Sequence, residues 1–173
     1  MTTSGDARKR PSPGFVLAHP AHFIAFGFGS GLAPIGPGTV GTVLGFFLYY
    51  GLANFLPDWE LIAVIGLSFV IGVWACDVTG RDLGVHDHGG MVWDEIVAMM
   101  LVLFFIPEQT AWQVAAFVLF RFFDIVKPPP IRSLDRGIRN GFGVMFDDIV
   151  AALYALLVLA AWQQFQDGFA GLW

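Results

Sequence analysis

Charge is what this chain has least of. Asp, Glu, Lys and Arg make up 13% of its 173 residues, against 56% that are hydrophobic. A soluble domain carries about 25% charged residues, so lipid is the better solvent for much of this sequence. A water-soluble enzyme and a disordered chain both fit poorly. Basic residues are especially scarce: nine Lys and Arg face 14 Asp and Glu, a net charge of −5, which leaves no footprint for nucleic acid. The single cysteine, Cys76, excludes an internal disulfide framework and a CxxC metal knuckle. Its place inside an apolar run makes it an inert buried thiol. No GxxxxGK[ST] nucleotide loop occurs. The stretch from Cys76 to Arg81 is one residue too short for a cysteine-phosphatase loop, and DxDx[TV] is absent. So is the Arg-Pro, Ser-Gly-His and Arg…His pattern of phosphohistidine lipid phosphatases.

What is present is a series of apolar runs. Five of them span about Val40–Leu56, Leu61–Cys76, Val92–Ile106, Ala111–Val126 and Ile149–Phe165. Each is near or slightly below the ~20 residues that cross a bilayer core. Helices are the expected form, because isolated strands in lipid leave backbone groups unpaired. The fold class read from this is all-α: a multi-pass helical membrane bundle of about five hydrophobic helices plus short interfacial helices. Length allows one domain, assigned to residues 27–166. Residues 1–26 form a basic N-terminal tail and interfacial segment, and 167–173 a short non-cytoplasmic tail. Arg8, Lys9 and Arg10 precede Phe15-Val-Leu-Ala in the manner of a signal peptide. His19, Pro20 and His22 break that run and no small-residue cleavage site follows, so the tail is read as retained.

The loops set the orientation. Pro57-Asp58-Trp59-Glu60, Pro107-Glu108-Gln109-Thr110 and the residues after Phe165 contain no Lys or Arg. The other side carries the basic tail, Arg81, Lys127, Arg132, Arg136 and Arg139, with Arg121 near the same end. By the positive-inside rule that side is cytoplasmic. Within Ile131–Arg139, Ile131, Leu134 and Ile138 share one helical face and Arg132, Arg136 and Arg139 another. This suits a short surface helix that offers guanidinium groups to anionic headgroups or simply anchors the chain.

The polar residues gather on that cytoplasmic side. Asp87, Asp94 and Glu95 lead into the third segment, Asp124 lies near the end of the fourth, and Asp147 and Asp148 open the fifth. Carboxylates at hydrocarbon depth cost about 2.5 kcal/mol or more each on insertion scales. Several together need a compensating cation, and oxygen-only ligands point to Mg²⁺. The competing reading is that Asp94, Asp147 and Asp148 cap helices, which leaves Asp124 at a C-terminus unexplained. Arg121, Asp124 and Lys127, spaced i, i+3 and i+6, form a stripe that is either a phosphate clamp or a self-neutralised patch. His86 or Asp87 in the polar turn before Asp94 offers acid–base catalysis. The glycine-rich stretch 27–42 places Thr39 or Thr42 to cap the following helix, whose N-terminus favours anions. Gly41 and Gly45 provide a small-residue packing face.

Three blocks, GFGSGLAPIGPGTVGT, GVHDHGGMVWDEIVAM and FRFFDIVKPPPIRSLDRGIRNGFGVMFDDIVA, together resemble the phosphatidylglycerophosphatase A family over about Gly27 to Ala152. The resemblance implies an all-helical integral membrane phosphatase of the bacterial cytoplasmic (inner) membrane. It implies Mg²⁺-dependent conversion of phosphatidylglycerophosphate to phosphatidylglycerol and phosphate. The family pattern falls on Asp87, Asp94, Glu95, Arg121, Asp124, Lys127, Asp147 and Asp148, with Gly29-Ser30-Gly31 and Pro37-Gly38-Thr39. Ala98 stands where the family more often has glycine, which bears on helix packing, and Asp77 lies outside the pattern. On this reading Asp94, Glu95, Asp124, Asp147 and Asp148 hold Mg²⁺. Arg121, Lys127, Arg132, Ser30 and Thr39 hold the phosphate, and Asp87, Asp94, Glu95 and His86 serve the chemistry. The expected partners are the substrate and membrane lipids. Two other classes compete: a small transporter or ion-conducting bundle, with acids along both halves, and a non-catalytic assembly partner.

Overall fold

The computed structural model describes residues 11–129, 131 and 137–170, and all regular structure among them is helical. Two short helices come first. Helix α1 (Pro13–Ala18) is capped by Ser12, whose Oγ accepts from Phe15 N at 3.2 Å. Helix α2 (Pro20–Ala25) is capped by His19, whose Nδ1 accepts from Ala21 N at 3.1 Å. A 3₁₀ turn, Gly27–Leu32, follows. Helix α3 (Pro37–Ala53) starts after Gly36, a left-handed residue at φ 56°, with Pro37 in its first turn. This corrects the expected cap: Thr39 is exposed in that turn, while Thr42 is buried and donates to Gly38 O at 2.8 Å. Glycine supplies the backbone turn without strain, so no side-chain cap is required.

Four more helices are described: α4 (Asp58–Leu83), α5 (Trp93–Phe105), α6 (Thr110–Val126) and α7 (Gly141–Ala170). All five apolar segments are thus helical, but two run well past their apolar runs. Helix α4 continues beyond Cys76 to a left-handed Gly84, which donates to Arg81 O at 3.1 Å and closes the helix. Helix α7 starts eight residues before Ile149 and extends through Ala170. Asp147 and Asp148 therefore lie in its second turn, too far in to cap it. The basic tail 1–10 and residues 132–136, with Arg132 and Arg136 of the expected surface helix, lie outside the described residues.

Helix α5 is the central pillar. Ile96, Val97, Ala98, Met99 and Val102 are fully buried on it. One side faces α1, α2 and α4, and the other faces α6 and α7. Ala98 of α5 is fully buried in the cluster shared with α6 and α7. Helix α3 crosses α5 on a glycine face. A Cβ at Gly41 would stand 2.7 Å from Val92 Cβ, and one at Gly45 the same distance from Ile96 O. The small residues thereby let the two backbones touch.

Two helices are long and apolar enough to cross a bilayer, Asp58–Leu83 and the Gly141–Gln166 part of α7. Helices α3 and α6 have 17 residues each and α5 has 13, so among the described residues two of the five apolar segments lie in clear candidate spans, not all five. Large apolar side chains cover the outside of the bundle: Phe47 is 72% exposed, Val70 63% and Leu157 67%. Such a surface is a liability in water and a match for lipid. The protein is membrane-associated.

Candidate active site

The alternating direction of α3 to α7 brings the start of α3, the end of α4, the starts of α5 and α7 and the end of α6 to one end of the bundle. Each is fixed locally. Val92 N donates to Ala25 O at 2.8 Å, which ties the entry of α5 to the end of α2. Asp77 of α4 accepts from Gly141 N at 3.3 Å and from Arg81 Nη2 at 2.7 Å, which keys the start of α7 to α4. Helix α6 ends at Lys127, which adopts φ 44° ahead of Pro128.

Asp94, Glu95 and Asp148 converge there. One carboxylate oxygen from each lies within 4.8 Å of the others. Asp94 is 8% exposed and Asp148 3%. Asp94 Oδ1 accepts from Glu95 N at 3.1 Å, and the carboxyl of Asp124 faces that of Asp148. Arg121 Nη1 pairs with Asp124 Oδ2 at 2.6 Å and reaches Glu95 Oε1 at 3.5 Å. Lys127 leaves the stripe and pairs instead with Asp147 of α7. Five carboxylates among the described residues thus surround two cations, Arg121 and Lys127. Among the described residues, Glu95 Oε2, Asp148 Oδ2 and Arg121 Nε are buried with no hydrogen-bond partner. Buried acceptors left in this state are costly. The all-oxygen donor set fits a hard divalent cation, whose charge answers the excess of acid.

The expected metal ligands are therefore divided by the structure. Asp94, Glu95 and Asp148 form the compact trio, while Asp124 and Asp147 are held by Arg121 and Lys127. His86 and Asp87 are exposed on the loop between α4 and α5, outside the trio. His88, two residues on, is half-buried and accepts from Gly90 N at 3.0 Å through Nδ1. Burial pushes its pKa down, against an opposing pull from Asp87. Ser30 lies in the 3₁₀ turn with its Oγ buried and close to Gly27. Gly38 is a site residue whose contact the sequence did not reveal: a Cβ there would collide with Glu95 Oε1 and stand 3.0 Å from Arg121 Nη1 and Nη2. Asp77 was also passed over, since its role lies in a contact with a residue 64 positions away.

A profile of the phosphatidylglycerophosphatase A family matches residues 23–163. A phosphatidylglycerophosphatase A of Haemophilus influenzae is 47% identical over 148 residues, 85% of this chain and 91% of the relative. One from Escherichia coli is 46% identical over 145 residues, 83% of each chain. A protein of Bacteroides thetaiotaomicron, 36% identical over 144 residues (79% of this chain and 89% of its own), carries the provisional name phosphatidylinositol-3-phosphatase. No solved structure gives a significant match. With most of its length covered by the family profile and by relatives at this identity, the chain belongs to the phosphatidylglycerophosphatase A family.

Proposed function

We propose that this protein is a phosphatidylglycerophosphatase, a lipid phosphate monoesterase that releases the terminal phosphate of phosphatidylglycerophosphate and leaves phosphatidylglycerol. The observation that carries the reading is the Asp94–Glu95–Asp148 trio beside Arg121, in a chain 46–47% identical to two proteins named phosphatidylglycerophosphatase A. The trio would hold Mg²⁺, with Asp124 and Asp147 adding negative charge behind it. Such an ion, when bound, offsets phosphate charge and makes a water more acidic.

The chain's own groups do the rest. Arg121 presents its guanidinium, with Nε unmatched, to the phosphate oxygens. The first-turn N–H groups of α3 at Gly38 and Thr39 have no carbonyl partner within the helix and add donors at its positive end. Lys127 adds a second cation at this end of α6, and Arg132 and Ser30 are further candidates for phosphate contact. Asp87, with His86 beside it, takes a proton from the water whose oxygen bonds to phosphorus and passes it to the glycerol oxygen as that P–O bond breaks. Helices α3 to α7 cross the inner membrane as a five-helix bundle, with residues 27–166 as one domain and the site facing the cytoplasm, where Lys and Arg concentrate. Acids gathered at one end support an interfacial enzyme over an ion pathway, which needs them along both halves.

The test is phosphate release from phosphatidylglycerophosphate by the purified protein in detergent, with Mg²⁺, with chelator, and with Asp94→Asn. Magnesium-dependent release that the substitution abolishes is expected. No release by folded, magnesium-loaded protein overturns the reading for this substrate.

A further inference from the structure

Two apolar grooves run along the helices toward the depth of the acidic trio. One lies between α4, α5 and α7 and is lined by Ile65, Phe69, Val97, Leu101 and Phe146 among others. Its cytoplasmic end is closed by packing. A Cβ at Gly72 would stand 2.6 Å from both Met145 Sδ and Trp93 Cδ1, and the Trp93 indole donates to Ser68 O at 2.9 Å. The other groove, about 320 Å³, lies between α3 and α6 and is lined by Val43, Phe46, Phe47, Gln113, Val114 and Phe117. Helices α3 and α6 are held apart along it, both leaning on α5.

The second groove is in register with the site. On α6, Gln113, Val114 and Phe117 are followed on the same face by Arg121 and Asp124. On α3, Phe46 and Val43 lead back to Thr39, next to the Gly38 backbone that touches Glu95 and Arg121. The far end is closed by Gln113, whose Nε2 donates to Tyr50 Oη on α3 and to Glu108 O at 2.7 Å. From Arg121 to Gln113 the α6 wall is about 12 Å long at about 1.5 Å per residue. A groove of this volume holds a small-molecule chain, whereas a helix about 10 Å across does not fit.

We propose that the α3/α6 groove takes an acyl chain of the substrate lipid, so that the phosphate monoester enters sideways from the bilayer between Thr39 and Arg121. The inference rests on the lipid-phosphatase reading above and adds the route and the chain-contacting wall. An amphiphile with a phosphate at one end matches a channel that has the Arg121 guanidinium and the first-turn N–H groups of α3 at its mouth and apolar walls along its length.

Val43→Trp and Val114→Trp fill the groove from opposite walls. Both valines are well exposed, at 40% and 59%, so neither change crowds the core. Gly66→Phe fills the other groove, where a Cβ meets nothing within 4 Å. The readout is kcat/KM on dioleoyl against dihexanoyl phosphatidylglycerophosphate in one detergent. The long-to-short ratio is expected to fall about tenfold in both tryptophan variants, the scale of a lost methylene contact, and to stay constant in Gly66→Phe. A constant ratio in the tryptophan variants, or a fall in Gly66→Phe, overturns the proposal. Photolabelling decides it without turnover. A phosphatidic acid with a diazirine at the acyl terminus should label α3 and α6 more than the matching phosphatidylcholine does. Monoester-dependent label on α4 and α7 overturns the groove assignment. An enzyme inactive on both substrates that still shows the α3/α6 label would overturn the activity reading alone.

Discussion

Replacing Gly38 by alanine perturbs the site with little cost to the fold. The added methyl falls on Glu95 Oε1 and within 3.0 Å of Arg121 Nη1 and Nη2. These atoms end flexible side chains, so α3 keeps its place and gains at most about 1 kcal/mol in helix propensity. Glu95 must swing away from the trio, and a displacement of about 1 Å in a positioned group costs about 100-fold in rate, close to 2.7 kcal/mol of barrier. Thermal midpoint in detergent and phosphate release are measured on the same preparation. The expected result is a midpoint within a few degrees of wild type and turnover lowered about 100-fold. Gly45→Ala is the comparison: its methyl meets Ile96 O at 2.7 Å and Ile96 Cα at 3.1 Å, backbone atoms that cannot rotate aside. It should lose about 1–3 kcal/mol of stability. Full turnover in Gly38→Ala would refute the placement of Glu95 in the chemistry. A stability loss equal to that of Gly45→Ala would reduce Gly38 to a packing residue.

Asp148→Asn removes one charge from the trio. Magnesium at a hundredfold excess over Kd should stabilise the wild type by about 2.7 kcal/mol, and in Asp148→Asn this stabilisation should disappear together with turnover; a rise in thermal midpoint of wild-type size would exclude Asp148 as a ligand. Lys127→Met removes a cation that pairs with Asp147, whose side chain is 4% exposed, and should destabilise by about 1.5–3 kcal/mol. Adding Asp147→Asn should recover part of that loss, and a melt of the double variant no better than the single one would contradict the pairing. His88 binds its proton less readily folded than unfolded, because burial lowers its pKa. The unfolded chain takes up that proton near pH 6.5, so stability should fall as pH drops below about 6.5 and rise as it returns. His88→Asn should flatten that slope, and an unchanged slope would assign it to other groups.

The helical character of all five apolar segments was legible because lipid leaves the backbone few alternatives. Their ends were less so. Hydropathy stops at Cys76, yet α4 runs on to Leu83, because Thr79 is buried, Asp77 receives Gly141 N and Asp82 receives His22 Nε2 at 2.9 Å. Likewise α7 begins before its apolar run, where Gly141 packs on Val73 and Asp77 of α4 and Met145 is fully buried beside Gly72. The carboxylates that meet were visible as a set confined to one side. Which three converge was not, since that depends on Arg121 turning to Asp124 and Lys127 crossing to Asp147. The contact of Gly38 was hidden for a simpler reason: a residue with no side chain leaves no pattern of its own.

Lys127, set in its left-handed turn at the end of α6, also bears on how the molecule is made. An aspartate at the centre of a membrane helix costs about 2.5–3.5 kcal/mol on insertion scales, and α7 carries two in succession. Synthesis runs from the N-terminus, so α6 emerges with Arg121 and Lys127 before Asp147 and Asp148 exist. Asp147 of α7, a candidate membrane span, then meets a counter-charge already in place at the end of the helix made just before it.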